Sequence, residues 1–205
     1  MILQCLLVFL AAFGPLRSLV SAEVIKPFLG NPAYSVDVER SGHHWTFTVQ
    51  SDGYMKTTSD GGRIPLDLLE VDTAAKRLTV FTAMNGYDAT SPRLRMRQVL
   101  KECWTMAGLG PGDLREIKGA DIANPDMRAA MKECRRGMGL GGQSDFSVSA
   151  TDRDAAKKQC WDRLERTIFS ASIRGAVSGF GINKRLVQFK VTRTWRGDDI
   201  YYYFT

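Results

Sequence analysis

The chain has 205 residues, 44% hydrophobic and 24% charged, with Lys and Arg outnumbering Asp and Glu by 28 to 22. That balance excludes a disordered, collagen-like or polytopic membrane protein and fits one folded domain of ordinary size. A net charge of +6 favours acidic partners.

Residues 2–13, ILQCLLVFLAAF, form an almost continuous apolar run that Gly14 and Pro15 end. Val20 and Ala22 then place small residues at the −3 and −1 positions of a signal-peptide cleavage site. Cleavage is expected between Ala22 and Glu23, leaving residues 1–22 as signal peptide and 23–205 as a single mature domain. Twelve helical residues reach about 18 Å, short of a bilayer core of about 30 Å, so no membrane span is expected.

Cys5 leaves with the signal, and Cys103, Cys134 and Cys160 remain. A secretory route favours a disulfide. Three thiols allow one intrachain bridge in three pairings and leave one thiol over. Their spacing fits no zinc pattern, so no metal is expected. No cofactor motif is credible either.

From Tyr34 to Met84 the chain reads as strands. Tyr34, Val36 and Val38 alternate with polar residues. After a turn at Arg40-Ser41-Gly42, so do Trp45, Phe47 and Val49. Asp52-Gly53 and Asp60-Gly61-Gly62 signal turns. Leu66–Val71 and Leu78–Thr82 flank a polar connection, another hairpin. A meander of four or five antiparallel strands follows.

Near Ser91 the pattern changes. Pro92 opens a helix that carries Leu94, Val99, Leu100, Cys103 and Trp104 and ends at the glycines from Gly108. A second helix is expected over Pro125–Arg136, capped by Asn124, with Met127, Ala130, Met131 and Cys134 as its apolar stripe. A third should begin at Thr151 or Asp152, with Ala156, Cys160, Leu164 and Ile168 on one face. If the second and third helices run antiparallel, Cys160 comes alongside Cys134, which makes Cys134–Cys160 the preferred bridge. Leu186–Trp195 and Ile200–Phe204 close the chain as a hairpin about Arg196-Gly197-Asp198-Asp199. Strands, helices, then strands predict an α+β fold, in which the meander and the C-terminal hairpin form an antiparallel sheet packed against about three helices.

Few residues suggest chemistry. His43 and His44 are adjacent and point to opposite faces of a strand, which disfavours paired-histidine catalysis. His43 shares parity with Trp45 and Phe47 and is expected to be a half-buried edge residue. Gly137–Gly142 matches G-x-G-x-x-G, but a helix precedes it where a strand is needed, so it reads as a loop between helices. No Gly-x-Ser-x-Gly elbow and no glycosidase-spaced carboxylate pair is present. A catalytic site is not assigned. The missing paired histidines, metal spacing and nucleophile motif favour a binder over an enzyme. Arg196-Gly197-Asp198 sits at a hairpin tip that would display its side chains outward. Arg93, Arg95, Arg97 and Lys101, and again Arg128, Lys132, Arg135 and Arg136, form basic helix faces suited to an acidic partner.

The chain resembles, as a class, the small secreted effector candidates of plant-pathogenic fungi. The Val20-Ser21-Ala22 signal, a mature length under 200 residues, few cysteines, no N-glycosylation sequon and no enzyme motif carry the resemblance. It implies a secreted virulence factor, acting outside or inside host cells. Its partner would be a host or extracellular protein, with proteases and immune components as targets and no nucleic acid. The contact residues expected are Arg135, Arg136, Arg196, Gly197 and Asp198. The alternatives are a secreted hydrolase or toxin enzyme with a scattered site, and an adhesion module using an exposed RGD turn.

Overall fold

A computed structural model describes residues 21–52, 67–81, 96–120, 122, 124–179 and 184–205. The apolar N-terminal run, Arg93 and Arg95, and the turn signals at Gly53 and Asp60–Gly62 lie outside these residues. So do the expected start of the first helix at Ser91 and Pro92 and the outer ends, Leu66 and Thr82, of the second hairpin. The described strands are β1 (Ser21–Ile25), β2 (Tyr34–Ser41), β3 (His44–Ser51), β4 (Asp67–Asp72), β5 (Arg77–Phe81), β6 (Glu116–Ala120), β7 (Phe146–Ser149), β8 (Leu186–Arg193) and β9 (Asp198–Phe204). The helices are α1 (Met96–Met106), α2 (Pro125–Gly137), α3 (Ala155–Glu165) and α4 (Ile168–Gly179). All nine strands form one sheet in the order β1-β2-β3-β4-β5-β6-β9-β8-β7. The fold is α+β, and every strand pair is antiparallel except β5–β6.

Directly paired residues share a face of the sheet. One apolar row therefore crosses eight strands through Val38, Phe47, Leu69, Val80, Gly119, Ile200, Val191 and Phe146, all of them buried. The period-two alternation in the sequence reports this single buried face. Buried side chains of all four helices join the same cluster, among them Trp104, Met127, Leu164 and Ile173. Burial of this joint face is the main source of stability.

The N-terminal meander is five-stranded, because β1 pairs with β2. The expected cleavage point, between Ala22 and Glu23, falls inside β1. Ser41 pairs with His44, so the β2–β3 turn is Gly42-His43, one residue later than its sequence signal, with Gly42 at φ 59°. Glycine takes that left-handed conformation without a Cβ penalty.

Three strands escaped the sequence pattern: β1, which starts before the strand region read from Tyr34, and β6 and β7. Within β6 (EIKGA) Ile117 is the one large apolar residue, and β7 is four residues long. The C-terminal hairpin consequently does not border the meander. β6 stands between them, parallel to β5, and the connection between these two runs through α1, as a parallel pair requires.

The expected third helix is two helices. The Thr167 hydroxyl donates to the Leu164 carbonyl at 2.8 Å and accepts from the Ser170 N–H at 3.2 Å, so it closes α3 and caps α4. Ile168 leaves the expected stripe and is 72% exposed. α2 follows its sequence reading closely, with the Asn124 carboxamide oxygen accepting the Met127 N–H at 3.0 Å. A Cys134–Cys160 disulfide joins α2 to α3 across a Cα–Cα distance of 4.9 Å, and Cys103 is buried and unbridged.

Candidate functional site

Residues successive on a helix are about 100° apart. Cys134, Arg135 and Arg136 therefore leave the last turn of α2 in three directions, toward α3, toward the sheet and into solvent. Arg136 is exposed, but Arg135 is only 3% exposed. Its guanidinium forms two bonds to the Asp198 carboxylate, at 3.1 and 2.7 Å, and its Nε donates to the Ser144 carbonyl at 2.8 Å. The guanidinium carbon lies 5.5 Å from the Phe146 ring centre. Arg193 approaches the same carboxylate at 3.5 Å. One side chain thus ties α2 to the start of β7 and the root of the β8–β9 hairpin. The expectation that Arg135 and Asp198 are exposed contact residues is corrected, because each is the other's buried counter-charge. The Arg196-Gly197-Asp198 tripeptide does not present its carboxylate outward.

Above this root the hairpin tip is tightly bonded. The Thr194 N–H donates to the Gly197 carbonyl at 2.7 Å, while the Arg196 and Gly197 N–H groups donate to the Thr194 hydroxyl at 3.3 and 3.2 Å. The Arg193 N–H donates to the Asp145 carboxylate at 2.7 Å. Arg196 is exposed and Gly197 half-buried. Trp195 is 88% exposed, and the Arg196 guanidinium sits 4.5 Å from its ring centre. A tryptophan held out in water on a fastened turn is the most conspicuous surface feature among the described residues. Strand parity pointed the other way, since Trp195 continues the inward series of Phe189 and Val191; β8 stops at Arg193 before that parity can apply.

The opposite face of the sheet is polar and self-paired. Lys118 meets Asp199 at 2.8 Å and lies 5.4 Å from the ring centre of Tyr201, which stacks on Tyr203 at 6.5 Å. Glu116 Oε1 is buried without a hydrogen bond, with Arg77 3.9 Å away, and burial holds its pKa above the usual value despite the nearby cations. Asp72 is held low, chiefly by the Ala75 N–H. His43 and His44 are both exposed, which corrects the half-buried placement of His43: it lies in the turn, ahead of β3. His43 Nδ1 is 3.3 Å from the Thr73 hydroxyl, and His44 Nδ1 is 4.0 Å from Asp72.

Among the described residues no group of three or more His, Cys, Asp and Glu is placed to hold a metal ion. No described helix is long and apolar enough to cross a membrane. The Gly137–Gly142 segment leads from α2 toward β7, so no helix N-terminus follows it directly. Comparison with family models, curated proteins and solved structures found no match.

Proposed function

We propose that the protein is a secreted, effector-like binding protein whose target is an acidic host or extracellular protein, and that the Trp195–Arg196 tip anchors the contact. The supporting observation is Trp195, 88% exposed on a hairpin whose root is fastened by Arg135. An exposed tryptophan costs solvation in the free protein and gains most when a partner buries it. Tryptophan and arginine are also the residues most enriched at energetic centres of interfaces. A fastened turn loses little conformational entropy on docking. Arg136, Arg128 and Lys132, all exposed on α2, add the positive field that steers an acidic partner.

The test is affinity capture from plant-tissue extract with wild type and Trp195→Ala as parallel baits, read by mass spectrometry. A specific partner is expected to be retained by wild type and depleted about tenfold or more by Trp195→Ala, with unchanged circular dichroism. His43→Ala, His44→Ala and Cys103→Ser should leave activity within a few-fold. A folded histidine or cysteine variant without activity would replace the binding reading with an enzymatic one.

A further inference from the structure

A cleft of about 460 Å³ opens between α3, α4 and the neighbouring ends of β8 and β9, where Leu186 pairs with Phe204, at the opposite end of the hairpin from the Trp195 tip. Trp161 and Phe204 supply apolar wall. Arg174, Lys184 and Arg185 line it as well, against Glu165 as the sole carboxylate side chain among the described lining residues. Glu165 is already committed: it accepts from Arg174 Nη1 at 2.9 Å, while its main-chain carbonyl accepts from Nη2 at 3.1 Å. These bonds orient the guanidinium and use two of its five N–H donors. Lys184 donates to the neutral Leu114 carbonyl at 2.6 Å. Asp113, the carboxylate whose charge acts on Lys184, is engaged by Lys76 at 2.6 Å. Burial, then the charges of Arg115 and Lys76, hold the Lys184 amine below the ordinary lysine pKa, against the opposing charge of Asp113.

The cleft has the volume of a small-molecule site, much more than a bare tetrahedral anion needs, and joins apolar wall to three cationic side chains. We propose that it binds a small organic oxyanion ester, a phosphate or sulfate, with the anion held by Arg174, Lys184 and Arg185 and the organic body against Trp161 and Phe204. This site is separate from the one under the proposed function and stands or falls apart from it.

The probes are phenyl phosphate, phenyl sulfate, inorganic phosphate and uncharged phenol, titrated into ¹⁵N-labelled protein and followed by amide shifts. Phenyl phosphate or phenyl sulfate should give saturable shifts at residues 161, 165, 174 and 184–186, with Kd on the order of 0.1–1 mM. Whichever ester binds tighter identifies the head group. Phenol should give none, and inorganic phosphate should bind several-fold more weakly than the ester. Lys184→Gln with Arg185→Gln should weaken binding about tenfold or more, whereas Trp195→Ala should leave it unchanged. No saturable shift with either ester, shifts scattered away from the cleft, equal response to phenol, or an unaffected double variant would each overturn the site. Inorganic phosphate binding as tightly as the ester would overturn the organic-body assignment.

Discussion

Arg135 and Asp198 show how a side chain's role follows from what surrounds it. Both belong to basic or turn-forming stretches that ordinarily face water, yet here two opposite charges sit together behind the hairpin. Removing one partner leaves the other buried without compensation, which costs about 3–5 kcal/mol. Arg135→Met should therefore lower the urea unfolding free energy by an amount near the lower end of that range, because Arg193 stands 3.5 Å from the same carboxylate. Arg135→Met with Asp198→Leu should recover much of the loss. If Arg135→Met instead left stability unchanged and only weakened partner capture, the side chain would be a surface contact after all.

At the scale of elements, two junctions decide how the helices sit on the sheet. The disulfide between α2 and α3 closes a segment of 26 residues. A loop of that length is constrained in the unfolded chain by about 3–4 kcal/mol on the chain-entropy model. Cys134→Ala with Cys160→Ala should lose stability of that order while the sheet signal in circular dichroism persists. The second junction is α4 on β6. A Cβ at Gly119 would lie 2.9 Å from Ile122 Cδ1 and 3.0 Å from the Phe169 ring, so glycine is what lets the ring approach. Gly119→Ala should destabilise by about 1–3 kcal/mol through overpacking, measured by thermal unfolding. A neutral result would mean that α4 shifts freely.

For the whole molecule, pH resolves opposing groups. Asp72 and Asp113 titrate below their ordinary values in the fold, held chiefly by the Ala75 N–H and by Lys76 respectively. Their stabilisation is present above the unfolded carboxylate pKa and is lost as pH falls through the folded values. Glu116 has the opposite sign, because burial raises its pKa and its protonation favours the fold as pH drops. Two depressed carboxylates against one raised one predict net loss of stability below about pH 4, partly offset; Glu116→Gln should remove the offset and steepen the acid limb of urea-midpoint measurements. At alkaline pH Tyr202 and Lys118 share one sign, opposed by Lys184, whose lowered amine pKa favours the fold as the proton leaves. Burial raises the Tyr202 phenol well above its ordinary value. Burial opposes the Lys118 ammonium, but Asp199 outweighs it and raises that pKa too. In both cases the unfolded chain gives up its proton first, so stability should fall as pH rises past about 10. Tyr202→Phe should flatten that limb, measured in a Cys103→Ser background that prevents thiol–disulfide exchange.

Capture through the exposed cations should weaken as salt rises, since exposed charges are screened beyond about 8–10 Å at physiological ionic strength. Binding insensitive to salt would remove the case for an acidic partner.

The sequence by itself determined what depends on near neighbours in the chain. Period-two alternation marked β2 and β3, because a strand with one wet face must alternate, and apolar runs flanking polar turns marked β4, β5 and the C-terminal hairpin. The Asn124 cap and the Met127–Cys134 stripe marked α2, because capping and helical spacing are local, and the antiparallel pairing of two such helices sufficed to choose Cys134–Cys160. Only the tertiary structure decided what depends on distant partners. β6 is a strand because β5 and β9 flank it, and its five residues show too little pattern to say so. Thr167 breaks a helix whose apolar spacing continues past it. Arg135 is buried because Asp198, 63 residues away, meets it. Trp195 is exposed because β8 ends two residues earlier. The Arg174–Lys184–Arg185 cleft was invisible for the same reason: charges from α4 and from the approach to β8 line one cleft only once the sheet has set where those elements end.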